Sequence, residues 1–303
     1  MSRLEEDIAE LIRASGPLTG AEIKDHARSE SLALWQTCRS SAALELRMLG
    51  RQYLRLDRQV EGYARLSPSI LREFLTYSVT GLSGDPASLG KRAGEVASRI
   101  EEISKAKYDL AYRFVDGIRS QLEGAWPEDR LCFILAGDIV YRMAHDVPRP
   151  ERSTGTMVRG SDLDLVVIAD DAAPEALLQQ LDEAIYQQKY RHLINPSARE
   201  EIDYIVKRFQ RLREQAGFDT FKKMVACKIL QEGVLIHGSQ ALFAAARALL
   251  DEHGVSRKLA KMEAAATHLR RQAEEYLLST EWRILGADEL HLFFTTDESE
   301  EFE

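Results

Sequence analysis

Two aspartates at the start of an apolar segment constrain this 303-residue chain more than any other feature. Asp162 and Asp164 flank Leu163, and the apolar run 165–168 follows, which predicts a short buried strand. Alternate side chains of a strand share a face, so the two carboxylates lie side by side while the leucines enter a core. Adjacent carboxylates repel, and Mg²⁺, which binds one or two carboxylates together with substrate phosphates, relieves that repulsion. The pair predicts a metal site for phosphoryl transfer; the alternative is a solvated acidic face on an edge strand.

A third aspartate strengthens the metal-site hypothesis. Residues 201–206 form another short segment with strand-like alternation, and Asp203 lies within it. If this strand is a neighbour of the first, Asp203 joins Asp162 and Asp164 in the three-carboxylate cage of a two-metal site. The three aspartates are therefore the candidate catalytic residues and the candidate ligands of Mg²⁺, with Mn²⁺ as an alternative ion.

These segments together resemble the nucleotidyltransferase superfamily of DNA polymerase beta. In that family a strand ends in Gly-Ser or Gly-Gly, a helix follows, and then come Asp-x-Asp and a separate Asp. The corresponding features here are an apolar strand over 131–136, Gly137-Asp138, Thr154-Gly155-Thr156, Ser161-Asp162-Leu163-Asp164 and Asp203. The Gly-Thr before Ser-Asp-x-Asp is most similar to the branch that holds oligoadenylate synthetases and bacterial signalling-nucleotide synthases.

The resemblance implies nucleotide binding by Gly137, Asp138, Thr156 and Ser161, with one departure from the family pattern. Asp138 follows Gly137 where the family usually has Ser or Gly, so the usual triphosphate-binding hydroxyl is missing. Three hydroxyl residues are candidates to replace it: Ser153, Thr154 and Ser161. Alternatively, Asp138 is an additional acidic group. The segment between Gly137 and the Asp pair is longer than usual, with prolines 148 and 150 in a predicted inserted loop.

Lysines after Asp203 are further nucleotide-binding candidates. The family commonly places a lysine on the helix after the third aspartate, where it contacts the triphosphate as a point charge. Lys222, Lys223 and Lys228 lie on such a predicted helix, and the sequence does not choose among them. The alternative for each lysine is an ordinary solvated helix face.

Composition and charge exclude several protein classes. The chain is 45% hydrophobic and 29% charged, as globular proteins are, and no apolar run approaches the ~20 residues of a membrane span. Its first residues do not form a signal peptide, and Cys38, Cys132 and Cys227 are scattered, which together predict a cytoplasmic protein with free thiols. A formal net charge of −9 argues against a surface built for nonspecific nucleic-acid binding.

Residues 1–80 are predicted to form a winged-helix-like unit. The sequence predicts one helix over 4–12, a second that begins at Thr19 and a third over 31–49. The third helix has an apolar stripe of Leu34, Cys38, Ala42 and Leu46, and a hairpin of strands 52–56 and 63–66 follows it. Such units often bind DNA through the third helix and the hairpin, and six arginines against three acidic residues over 39–65 suit phosphate contacts. The favoured alternative is a packing or dimerisation role, because Trp35 and the apolar stripe assign much of the third helix to the core.

The predicted fold class is α/β (α+β): a nucleotidyltransferase-fold mixed sheet with flanking helices and a C-terminal helical lobe, after the winged-helix-like unit. The predicted divisions are the unit over 1–80, a linker over 81–90, a catalytic domain over 91–239, a helical lobe over 240–296 and an acidic tail over 297–303. A long spine helix over 87–123, ended by Trp126-Pro127, is predicted to precede the catalytic sheet. Oligoadenylate-synthetase-like enzymes carry a comparable spine helix before the catalytic sheet.

The predicted function is Mg²⁺-dependent transfer of a nucleoside monophosphate from an NTP or dNTP to a hydroxyl. The resemblance implies a nucleotide signal or short oligonucleotide as product, as in bacterial antiphage defence. One alternative is an antitoxin-like enzyme that modifies a protein or tRNA. Another is a non-catalytic DNA-binding regulator, which Gly137-Asp138 favours and the three aspartates oppose. Expected partners are the nucleotide, nucleic acid at the N-terminal unit, and a second copy or an effector protein, without a membrane.

Overall fold

The computed structural model describes residues 2–122, 129–151 and 154–295, which form a mixed α/β protein. The helices of these ranges are α1 Arg3–Ser15, α2 Gly20–Ala27, α3 Ser31–Ser40, α4 Ile70–Thr76, α5 Pro86–Gln121, α6 Glu175–Ile194, α7 Phe209–Gln215, α8 Phe221–Glu232, α9 Gln240–Glu252, α10 Val255–Ser279 and α11 Ala287–Leu290. The strands are β1 Leu18–Thr19, β2 Leu44–Met48, β3 Tyr53–Leu56, β4 Ala64–Ser67, β5 Ser78–Leu82, β6 Leu131–Ala136, β7 Pro148–Pro150, β8 Met157–Arg159, β9 Leu163–Ala169, β10 Ile202–Arg208 and β11 Val234–Gly238.

The chain divides into two compact units. The first contains Met1–Arg55, Ala64–Glu101 and Glu263–Glu303, and the second contains Leu56–Tyr63 and Glu102–Met262. The helical lobe predicted over 240–296 is therefore shared between the units, and two of the four boundaries fall within α5 and α10. Both the acidic tail 297–303 and the Trp126-Pro127 stop lie outside the described residues.

The linker predicted over 81–90 is wrong as a description of local structure. Residues 81 and 82 end β5, and α5 begins at Pro86, so three residues separate a strand from a helix. Ser83, Gly84 and Pro86 produced the linker prediction because such residues favour turns. Proline is also well tolerated in the first turn of a helix, which is its place here.

A four-stranded mixed sheet forms the centre of the second unit, in the order β10-β9-β6-β11. Strand β9 is parallel to β10, while β6 is antiparallel to β9 and to β11. The strands predicted over 131–136, 163–168 and 201–206 are confirmed, and β11 lies at an edge of the sheet. One sheet face is covered by apolar side chains of α5 and α6, among them Phe114, Val115, Leu181 and Ile185.

Helix α5 confirms the predicted spine helix. It also contributes a buried lysine that binds the backbone just before β9. The side chain of Lys107 is buried, and its Nζ donates to the backbone oxygens of Arg159 at 2.6 Å and Ser161 at 2.7 Å. It also forms an ion pair with Glu200, just before β10. Three acceptors from two segments therefore hold the starts of the two parallel strands against one helix.

The first unit contains a three-stranded sheet, β1-β5-β2, and most of the paired strands β3 and β4, whose connecting residues are assigned to the second unit. The predicted hairpin is confirmed, and so is the helix from Thr19: the Thr19 hydroxyl accepts from the Glu22 backbone and the Glu22 carboxylate accepts from the Thr19 backbone. The core of this unit includes Trp35, Phe74 and Phe293.

The third helix does not extend to residue 49, as the sequence predicted. Helix α3 ends at Ser40, and residues 44–48 form β2, which pairs with β5. Ser41 adopts an extended conformation, and its hydroxyl accepts from the Ala43 N–H at 3.0 Å. A serine side chain that binds nearby backbone competes with helix continuation. The four-residue spacing that ran through Ala42 and Leu46 was therefore coincidental beyond Ser40.

Helix α3 is largely internal, which favours the packing interpretation of the N-terminal unit. Leu32, Leu34, Trp35 and Cys38 are buried on this short helix. Gln36 is also engaged, since its amide donates to the backbone oxygens of residues 277 and 280. Few side chains of the helix remain for a nucleic-acid surface. Nucleic-acid binding by this unit stays a prediction.

No helix in the described ranges is long and apolar enough to cross a membrane. The three cysteines are free and buried, as the sequence predicted.

Lys207, at the end of β10, gives the fold a pH-dependent stability. Its Nζ donates to Gln215 Oε1 at 3.0 Å, and burial lowers the lysine pKa from 10.5 to about 8. The unfolded chain therefore binds more protons between those values, and the free energy of unfolding rises with pH across that window. We expect Lys207→Met to flatten this rise and to stabilise the protein at neutral pH by about 2 kcal/mol, net of the lost hydrogen bond.

Urea unfolding from pH 7 to 10.5 measures this effect, with Lys222→Met, an exposed lysine of α8, as the control. The control should follow the wild-type curve. Parallel curves for wild type and Lys207→Met would contradict the assignment.

Candidate metal and nucleotide site

The alignment of β9 with β10 places the acidic side chains together. Asp203 lies opposite Asp164 in the parallel register, and Ile202 lies opposite Leu163. Paired residues on adjacent strands share a sheet face, and so do residues two apart. The same face of both strands therefore carries Asp162, Asp164, Glu201 and Asp203, which confirms that the two aspartate segments are neighbours.

The tightest carboxylate group contains a residue that the sequence interpretation missed. Ligand oxygens of Asp162, Glu201 and Asp203 all lie within 4.8 Å of one another. Asp164 is outside this group and lies beside the turn that follows β6. A signal for Glu201 was present, because Glu201-Ile202-Asp203 repeats the one-residue spacing of Asp162-Leu163-Asp164.

The chemistry of this group fits a hard divalent cation. All the donors are carboxylate oxygens, which Mg²⁺ and Mn²⁺ prefer over nitrogen or sulfur ligands. Oxygens that share one Mg²⁺ at about 2.1 Å are separated by at most about 4.2 Å, so oxygens that already lie within 4.8 Å of one another need at most small side-chain rotations to bind one ion. Glu201 is buried, whereas Asp203 is exposed, so the group opens to solvent on the Asp203 side.

Two basic side chains neutralise part of the carboxylate charge. Arg149, on β7, places Nη1 2.7 Å from Glu201 Oε2 and Nη2 3.6 Å from Asp162 Oδ2. Lys189, on α6, places Nζ 3.0 Å from Asp203 Oδ1. Burial raises the pKa of Glu201; Asp162 and Asp203 add to that rise, and the Arg149 guanidinium opposes it.

No protein-family model, curated protein or solved structure matches this chain significantly.

Gly137 directly follows β6 and lies close to the Asp164 carboxylate. Its φ of +76° lies in the left-handed region, and a Cβ there would lie 2.3 Å from Asp164 Oδ2. The residues that follow form a turn in which the Val140 N–H donates to the Gly137 oxygen, in place of the helix that the family pattern has. The glycine is therefore required both by the backbone conformation and by the space that the Asp164 carboxylate occupies.

The turn is fastened to α8 through Glu232. The Gly137 N–H donates to Glu232 Oε1 at 3.2 Å, and the Tyr141 hydroxyl donates to Glu232 Oε2 at 2.7 Å. Lys228 is buried, forms an ion pair with Glu232 and donates to the Tyr141 hydroxyl. Of the three predicted lysines, Lys228 is thus connected to the Gly137 turn. Lys223 pairs with Asp219 at 2.8 Å, and Lys222 is exposed.

The other predicted nucleotide-binding residues make internal contacts. The Ser161 hydroxyl donates to Asp138 Oδ2 at 3.2 Å and accepts from the His145 N–H. Thr156 lies in the β7-β8 loop, where its hydroxyl accepts from that of Thr154 at 2.9 Å. Asp138 therefore orients Ser161 in this structure. Ser153 lies outside the described residues.

Gly137→Ala should displace the Asp164 carboxylate and reduce the nucleotide transfer that the sequence predicts. The added methyl group meets Asp164 Oδ2 and the residue is held at positive φ, so we expect a loss of about 1–3 kcal/mol in stability and at least tenfold in turnover. Gly155→Ala is the matched control, because Gly155 has a φ of +68° with no atom within 4 Å of a built Cβ. Equal loss of turnover in both variants would show that strain alone, without displacement of Asp164, accounts for the effect.

Proposed function

We propose that this protein is a Mg²⁺-dependent nucleotidyltransferase. The observation that carries the proposal is the set of four carboxylates on one face of the parallel strands β9 and β10, three with oxygens within 4.8 Å of one another. Mutual repulsion among the four carboxylates, and the desolvation of buried Glu201, both oppose such a concentration of negative charge at a purely structural face. A divalent cation with a phosphate-bearing substrate offsets these costs.

The sheet topology supports the resemblance to the DNA polymerase beta superfamily. The Asp-x-Asp strand lies between the strand that ends in Gly137 and the strand that carries Asp203, and α5 packs beneath them. We therefore propose a nucleotidyltransferase fold for the second unit and a winged-helix-like fold for the first. A nucleotide signal or a short oligonucleotide, as in antiphage defence, is the product that the resemblance favours.

Each acidic residue has a separate role in the proposed reaction. In the proposed two-metal arrangement, Asp162 and Asp164 would hold the nucleotide-bound ion together with the triphosphate. A second ion would be held by Asp162, Glu201 and Asp203, and Asp203, at the exposed side, would face the acceptor hydroxyl. The acceptor oxygen attacks the α-phosphorus, the bond to the β-phosphate oxygen breaks, and pyrophosphate leaves. The hydroxyl proton passes to Asp203 or to solvent. A bound Mg²⁺ would lower the pKa of the hydroxyl and neutralise charge on the phosphates.

The test is incubation of the purified protein with each NTP and dNTP, labelled at the α-phosphate, with Mg²⁺ or Mn²⁺ and separation of the products. The proposal expects the α-label to appear in a product other than the starting nucleotide, in which the nucleoside monophosphate is joined to an acceptor. Addition of tRNA or a protein extract to the same reactions tests the alternative in which the acceptor is a macromolecule. Absence of transfer under every condition would contradict the proposed activity.

A non-catalytic nucleic-acid-binding regulator is the second candidate, and one observation favours it. The backbone N–H of Gly137, next to the position where the family has its triphosphate-binding hydroxyl, is bound to the Glu232 carboxylate. An internal carboxylate at that position competes with a phosphate for the same donor. The regulator predicts salt-sensitive nucleic-acid binding without label transfer, and Arg55→Glu in the basic hairpin would weaken that binding.

A further inference from the structure

Arg149 occupies a position inside the carboxylate group that differs from that of an ordinary surface arginine. Its side chain is only 11% exposed. The guanidinium uses Nε to donate to the Gly160 oxygen at 2.9 Å, Nη1 to reach Glu201 and Nη2 to face Asp162. One planar cation is therefore held between two of the three carboxylates that could bind a metal.

The guanidinium and a divalent ion compete for the same two carboxylates. Glu201 Oε2 and Asp162 Oδ2 are the carboxylate atoms that face Arg149. An ion bound between these two carboxylates would also lie within a few ångströms of the guanidinium, where repulsion between like charges in a partly buried site is strong. Arg149 and the ion therefore cannot both occupy the space between Glu201 and Asp162.

On the basis of the proposed metal site, we propose that Arg149 is a built-in counter-ion which a divalent cation must displace. Its charge stabilises the carboxylate group before the metal binds and reduces the metal affinity of the group. Metal binding between Glu201 and Asp162 therefore requires the Arg149 side chain to leave its present position. A divalent ion therefore binds the carboxylates tightly only when the guanidinium has another anionic partner, such as the phosphates of a substrate.

Calorimetric titration of the metal-free full chain with Mn²⁺ tests the proposal. Arg149→Gln should bind Mn²⁺ at least about tenfold more tightly than wild type, because a competing charge is gone. It should also show a larger rise in melting temperature with added Mn²⁺. Arg149→Lys covers the case in which Arg149→Gln does not fold. Lysine retains the positive charge but cannot contact both carboxylates as the planar guanidinium does, so the Mn²⁺ affinity of this variant should lie between those of wild type and Arg149→Gln.

Arg159→Gln is the matched control, since Arg159 is an exposed residue of the same hairpin, and it should bind Mn²⁺ as wild type does. If wild type binds Mn²⁺ and the Arg149 variants bind it no more tightly, the counter-ion role is wrong while the metal site stands. If wild type and all variants bind no Mn²⁺, the metal site itself is wrong, and the proposed function fails together with this inference.

Discussion

Replacement of Asp203 by alanine is expected to leave nucleotide affinity nearly intact and to reduce turnover by orders of magnitude. Asp162 and Asp164 remain to hold a nucleotide-bound ion with the triphosphate, so Mg²⁺-nucleotide affinity should stay within roughly tenfold, about 1.4 kcal/mol. In the proposed mechanism the variant lacks the carboxylate that faces the acceptor, so activation of the hydroxyl and stabilisation of transition-state charge should both be lost. Because Asp203 is exposed, the fold should tolerate the change.

The measurement is calorimetry of nucleotide binding beside product formation on the same preparations. Lys189→Met is the control: it removes the cation that pairs with Asp203 at 3.0 Å but leaves the carboxylate in place, and turnover should persist. Loss of nucleotide binding in Asp203→Ala would assign Asp203 to the nucleotide pocket instead. Survival of both binding and turnover would remove Asp203 from the mechanism.

Lys107→Met is expected to give the largest loss of stability among these variants. The substitution removes a buried cation that serves two backbone oxygens and Glu200, and it leaves the Glu200 carboxylate in a mostly buried position without its partner. Removal of one partner from a buried pair costs about 3–5 kcal/mol. Because the lost contacts hold the starts of β9 and β10, metal affinity should fall as well, even though Lys107 does not belong to the carboxylate group.

Urea unfolding of Lys107→Met beside Lys105→Met measures this loss. Lys105 lies two residues earlier on α5 and forms an exposed pair with Asp109, and such pairs contribute about 0.5 kcal/mol or less. A difference of less than about 1 kcal/mol between the two variants would mean that the buried cluster contributes no more than a surface pair.

Local patterns were sufficient for the elements around the site. Strands β6, β9 and β10 are short apolar segments with their own alternation, and α5 has a long helical stripe, so each was predictable without knowledge of its neighbours. Strand β2 was mistaken for helix because it is defined by pairing with β5, more than thirty residues away. Its alternation over five residues was too short to outweigh the helical spacing that precedes it.

The composition of the site was only partly predictable for a related reason. The aspartates are visible in sequence because their spacing matches a strand, whereas the cations that compensate them come from distant segments. Arg149 reaches Asp162 from an inserted loop, and Lys107 reaches Glu200 across 93 residues. Such pairs depend on how the helices and the hairpin pack on the sheet, which periodicity does not encode.

The distribution of label from one nucleotide tests the central claim most directly. Parallel reactions with Mg²⁺ and the same nucleotide, labelled at the α- or the γ-phosphate, would be run on wild type and on Asp164→Asn. The proposed mechanism predicts that the α-label enters the product, that the γ-label appears in pyrophosphate, and that Asp164→Asn does neither. Release of the γ-label as inorganic phosphate, or transfer of the α-label at the wild-type rate by Asp164→Asn, would contradict it.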